Sequence, residues 1–192
     1  MKVKQTLVAA ALALAFNSMA ASIDIDGIKV EDKTTVAGVP LTLNGAGTRH
    51  KGAPKVYVAA LYLEKKTRLP EEAISQSGPK RVSLTMVRDL DSKEFGKLFT
   101  RSLADNVDKA AMSKLVAGLR QMGEIFALHK TIATEDNVLL DWVPGIGTIV
   151  TVNGQVQGEP LREPEFFKAL MAIWLGHIPA DGRLKDALLG IN

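Results

Sequence analysis

Residues 56–63 (VYVAALYL) are apolar at odd and even positions alike, which predicts a strand covered on both sides rather than one with a wet face. Around it, hydrophobic residues recur with period two. Residues 27–30 are short and apolar, and residues 39–43 alternate around Pro40. Residues 81–87 put Val82, Leu84 and Met86 on one face, with Ser83 and Thr85 on the other. Pro70–Ser75 reads as a short helix between these strands. The period then changes. Asp91 followed by Glu94 resembles a capping box, opening a helix with Phe95, Leu98, Phe99 and Leu103 on one face. Met112, Leu115, Leu119, Met122 and Phe126 form a second helical stripe. Strands return at 138–143 and 148–152, turning at Asn153-Gly154, a two-residue hairpin signal. Pro164 opens a helix through Phe166, Phe167, Leu170, Ile173 and Trp174 that Gly176 stops, and Asp181 and Gly190 bracket a last short one.

Strands, helices, a hairpin and more helices make an α+β pattern. Helices do not alternate with single strands, so a doubly wound fold is excluded. No repeat, linker or low-complexity stretch divides residues 21–192, which predicts one domain.

The first twenty residues stand apart. Lys2 and Lys4 precede an apolar run over residues 7–16, and Ser18-Met19-Ala20 offers a small-x-small cleavage site. This is the pattern of a secretory signal peptide, with an apolar part too short for a stable membrane span. Cleavage after Ala20 leaves 192 − 20 = 172 residues, and the formal charge falls from 24 − 21 = +3 to 22 − 21 = +1 because the leader carries two lysines and no acid. With no run of Lys/Arg and interleaved aromatics, nucleic acid is not an expected partner. The chain has no cysteine, which removes thiol nucleophiles, thiolate metal sites and disulfides together. A leader on a cysteine-free chain fits a bacterial periplasm.

Candidate chemistry concentrates in residues 39–64 (VPLTLNGAGTRHKGAPKVYVAALYLE). If Leu41 and Leu43 face the core, strand parity sends Gly45, Gly47 and Arg49 to the same side. The glycines would leave space and the guanidinium would end it. A permanently charged group on an inward face needs an anion or a wet cleft. The other reading is a bulge that slips the parity and makes Arg49 a solvated turn residue. Tyr57 on the next strand either helps Arg49 or is a core tyrosine, and Ser102, seven residues after Phe95, either lines a cleft or fills the core edge. His50, His129 and His177 lack metal-ligand spacing, and no G-x-S-x-G, Walker or dinucleotide loop is present. Neither metal nor cofactor is expected.

Asn44-Gly45-Ala46-Gly47-Thr48-Arg49 followed by Lys55 to Glu64 (KVYVAALYLE) resembles the opening of the chalcone isomerase fold (G-A-G-x-R, then K-F-x-A-x-x-Y-L-E), and most resembles its secreted bacterial branch. Gly78-Pro79-Lys80-Arg81-Val82, Pro144-Gly145-Ile146-Gly147-Thr148, Ile173-Trp174-Leu175-Gly176 and the stretch from Leu184 to Gly190 (LKDALLG) continue the likeness. The resemblance implies an open antiparallel sheet packed against a layer of helices, with a ligand cleft between them. It covers enzymes that cyclise chalcones as well as fatty-acid binders. Arg49 matches the arginine that steadies the developing enolate in the enzymes. Tyr57 falls where they carry threonine, Phe95 at their helix tyrosine, Ser102 at their asparagine and Ile173 at their late Ser/Thr. Phe95 and Ile173 cannot donate a hydrogen bond, so the resemblance implies a binder of a fatty acid or other small apolar carboxylate or phenolic ligand without efficient cyclisation. The alternative is an isomerase or intramolecular lyase on an enone-like substrate, using Arg49 as an electrostatic catalyst. A third is an assembly protein whose cleft is filled by Phe95, Ile173 and Trp174.

Overall fold

The computed structural model describes residues 21–191; the predicted leader, residues 1–20, lies outside them. Three short strands, β1 (Ser22–Ile25), β2 (Ile28–Glu31) and β3 (Lys33–Val36), precede two long ones, β4 (Val39–His50) and β5 (Lys55–Leu63). Helix α1 (Pro70–Ser75) leads into β6 (Lys80–Met86). The helical block follows: β7 (Leu90–Asp91), α2 (Ser92–Ala104), α3 (Lys109–Lys114), α4 (Val116–Ala127) and β8 (Thr131–Ile132). The chain ends with β9 (Asn137–Val143), β10 (Gly147–Val152), β11 (Gln155–Val156), α5 (Pro164–Leu175) and α6 (Gly182–Leu188).

Seven strands form one antiparallel sheet in the order β11-β10-β9-β6-β5-β4-β3. β6 and β9 are neighbours in it, so the block from β7 to β8 leaves the sheet and returns. One face carries the larger core, built from Leu61, Leu84 and Leu140 of the strands with Phe99, Phe166, Phe167 and Leu170 of the helices. The other face carries a smaller core of Leu41, Leu43, Val58, Ala60 and Tyr62, capped by the β1–β2 hairpin through Val30, Ile25 and Ile28. This two-sided cover is why β5 is apolar throughout, as an antiparallel strand with one wet face would not be.

The expected parity of β4 is corrected by a bulge. Leu43 pairs with Tyr62, but the next β5 residue, Leu61, pairs with Gly45, and Asn44 is the extra residue between them. Leu41 and Leu43 therefore point to the hairpin side, whereas Gly45, Gly47 and Arg49 point to the helices. The bulge is anchored by its own side chain. Asn44 Nδ2 donates to the carbonyls of Leu188 (2.7 Å) and Thr67 (3.1 Å), and its Oδ1 accepts from Thr67 N–H (2.8 Å). A kinked strand edge, the end of α6 and the loop before α1 are thereby tied at one point.

Helix signals hold with one difference. Asp91 caps α2 through the N–H groups of Lys93 and Glu94, and Asp181 caps α6 through those of Arg183 and Leu184. The stripe from Met112 to Phe126 is not one helix: it breaks at Leu115 into α3 and α4. Leu115 is itself buried, so the hydrophobic pattern runs through the break without registering it. At the hairpin turn Asn153 and Gly154 both take positive φ (49° and 79°), the paired left-handed conformation that this dipeptide favours.

Candidate functional site

The glycines of β4 serve contact rather than space. A Cβ on Gly45 would lie 2.1 Å from the Ala187 carbonyl oxygen, and one on Gly47 would lie 2.7 Å from the Ala187 side chain. Helix α6 is pressed onto the strand at both positions, which corrects the expectation of an open cleft beside them. Room remains only at the end of the row, where Arg49 stands.

Arg49 is 8% exposed. It pairs directly with Tyr57 across the ladder, and its guanidinium carbon lies 5.6 Å from the Tyr57 ring centroid, within cation–π range. Among the described residues no carboxylate lies within ion-pair distance of it, and its buried Nε has no hydrogen-bond partner. The neighbouring Asp181 is engaged elsewhere, accepting from the backbone N–H groups of His50 (2.9 Å), Arg183 (2.9 Å) and Leu184 (3.3 Å). Burial would raise its carboxyl, but these donors outweigh burial and hold it below its ordinary value.

Tyr57 is almost wholly buried. Its oxygen accepts from Trp174 Nε1 at 2.9 Å, which leaves the phenolic proton free to be donated. Burial pushes the Tyr57 phenol up, against the nearby Arg49 charge and the donors Trp174 and Arg49. It is therefore a neutral donor at physiological pH.

Arg49, Tyr57, Phe95, Ser102 and Ile173, named from sequence, surround one hollow of about 20 Å³, joined there by Leu98, Phe99, Trp174 and Ala180. That volume holds about one water. Phe95 and Phe99 from α2 close it from one side, each packed edge-on against Phe126 of α4 at 5.2 and 5.5 Å. Ile173 and Trp174 from α5 close another. The polar role of Trp174 was not foreseen, because its partner lies 117 positions away and an apolar helix face gives no sign of it. Arg49 and Tyr57 present donors to this hollow, with the hydroxyl of Ser102 at its wall, and the rest of the surface is apolar. Such a site can seat one anionic or phenolic oxygen. Among the described residues no three His, Asp or Glu converge as a metal set, and no helix is long and apolar enough to cross a membrane.

Comparison with known proteins agrees with this architecture. A model of the family described as chalcone isomerase-like matches residues 21–190. A comparison with curated proteins finds no match. Among solved structures, a fatty-acid binding protein of Arabidopsis thaliana superposes with a TM-score of 0.72 at 15% identity, covering 88% of this chain and 96% of that one. At that identity the likeness concerns the fold.

Proposed function

The chain belongs to the chalcone isomerase-like family, and within it we propose a periplasmic binding protein for a small apolar anion, with Arg49 receiving the head group and Tyr57 assisting. The observation that carries this reading is the buried guanidinium that no carboxylate of the described chain neutralises. A charge removed from water without a partner is costly, and an anionic ligand restores the balance. A carboxylate accepting from the guanidinium and from the Tyr57 hydroxyl would gain charge-assisted bonds of about 1.5–3 kcal/mol each. The fatty-acid binding protein that shares the fold is a precedent for this class of ligand. Phe95 and Ile173 add no donor, which supports binding over cyclisation. A hollow sized for one water requires α2 to give way before an apolar body can follow its head inside.

The test is native mass spectrometry of the protein taken from its host's periplasm, followed by titration with short apolar carboxylates and phenols. The expected result is a bound small mass and an affinity that Arg49→Met weakens about 10- to 100-fold. Unchanged affinity in that variant would overturn the assignment. Turnover of a chalcone that the same substitution abolishes would favour the isomerase instead.

A further inference from the structure

A cavity far larger than the one at Arg49 lies between two helices. Helices α2 and α4 diverge over a groove of about 940 Å³, close to the upper end of small-molecule sites at roughly 300–1,000 Å³. Its floor is Phe99, Leu119, Met122 and Phe126, and Gly96 and Gly123 keep it deep. At its lip Leu128 is 71% exposed. Lys93, Lys97, Arg101 and Lys130 stand along the rim against one carboxylate, Asp91, whose side chain is already spent capping α2.

One end of the groove is built for a polar group. Ser92, at the first turn of α2, is 2% exposed, yet its hydroxyl has no hydrogen-bond partner. The Nε2 of His129, which also lines this end, is buried and unpartnered too. Such groups are normally satisfied, and both residues also line a small void of about 20 Å³ beneath the trough, so two unpartnered polar atoms lie just under its surface at this end. Two unsatisfied polar atoms, a cationic rim and an apolar floor describe the complement of an amphiphile.

We infer that the α2–α4 groove is a second binding site, taking a single-chain amphiphile with an anionic head. The tail lies along Phe99, Met122 and Phe126, and the head meets Ser92, His129 and Lys130. The site is separate from the one at Arg49, with Phe99 as a shared wall, and it does not depend on that reading.

Isothermal titration of the purified protein with sodium palmitate below its micelle concentration tests it. A Cβ at Gly123 meets no atom within 4 Å, and glycine is a poor helix former, so Gly123→Phe starts from an open position in a trough it would occupy. The expected result is saturable binding that Gly123→Phe weakens tenfold or more and Ser92→Ala weakens about fivefold. Equal affinity in wild type and Gly123→Phe overturns the groove, and if Arg49→Met alone then abolishes binding, the Arg49 reading survives it. Loss in both variants moves the head to Arg49 and overturns the polar end assigned here. Absence of palmitate binding overturns the proposal, as does sedimentation with phosphatidylglycerol vesicles without uptake of monomeric palmitate.

Discussion

Arg49 on β4 and Arg81 on β6 flank the same central strand, and each faces a tyrosine of β5 across the ladder, Tyr57 and Tyr62. The side chains lie on opposite faces of the sheet, and the two sites differ in how the charge is met. Arg81 is saturated: its Nε and Nη2 grip both oxygens of Asp141 at 2.6 Å, and Nη1 donates to Thr34 Oγ1 at 2.6 Å. This fork-on-fork pair lashes β6 to β9 and reaches the edge strand β3. Arg49 has none of this. A sheet that supplies a full set of partners to one arginine and leaves the other without a carboxylate separates a structural ion pair from a site with binding capacity to spare.

The largest effect expected from breaking this contrast is on the saturated side. Arg81→Met leaves the Asp141 carboxylate buried and unpaired, and the stability read from urea denaturation should fall by about 3 kcal/mol or more. Next comes the wall that isolates Arg49. A Cβ at Gly45 collides with a backbone oxygen of α6, which cannot rotate away. Gly45→Ala should therefore cost about 2 kcal/mol in the same assay, and should also raise hydrogen exchange in α6 as that helix lifts. A loss below about 0.5 kcal/mol would mean that α6 seats less firmly than its packing implies.

These two residues also mark where sequence stopped being informative. β5 was legible because its unbroken apolar run over residues 56–63 is too short for a buried helix and fits a doubly covered strand, and α5 because Pro164 and Gly176 mark its ends. The partner side of β4 was not. Leu41 and Leu43 are buried on one face and Arg49 on the other, and a bulged asparagine carries no signature that distinguishes it from an ordinary strand residue. Parity reached the right face for Arg49 from a wrong premise. The short strands β1 and β3 were missed because they are largely exposed and polar. Ser92 and His129, 37 positions apart, meet only through the pairing of β7 with β8, which no periodicity announces.

On the unsaturated side the expected effects are smaller. Tyr57→Phe strips Trp174 of its acceptor and should cost about 1 kcal/mol. Arg49→Met should leave the ligand-free protein within about 1 kcal/mol of wild type, on the stabilising side, since it replaces a buried charge without a carboxylate by an apolar chain of similar length. The sign is the test: a loss comparable with that of Arg81→Met would mean that Arg49 is as structural as its counterpart.

A further effect is read in alkali, where both β5 tyrosines titrate. Burial pushes the Tyr62 phenol up to about 12, opposed by the Arg81 charge, and Tyr57 is raised from 10 for the same first reason. Below pH 10 both phenols are protonated whether the chain is folded or not, and their contribution is complete. Between pH 10 and 12 the unfolded chain releases protons that the folded chain keeps, so unfolding is favoured and stability falls as pH rises. Lys80 has the opposite sign. Burial lowers its amine to about 8, so between pH 8 and 10.5 the unfolded chain binds the extra proton and stability rises. Urea midpoints should therefore crest near pH 10. Lys80→Met should flatten the ascending limb. Tyr62→Phe and Tyr57→Phe should each make the descending limb shallower. A descending limb that neither tyrosine variant alters would show that both phenols ionise in the folded state as freely as in water, and would overturn the dominance of burial over the two arginine charges.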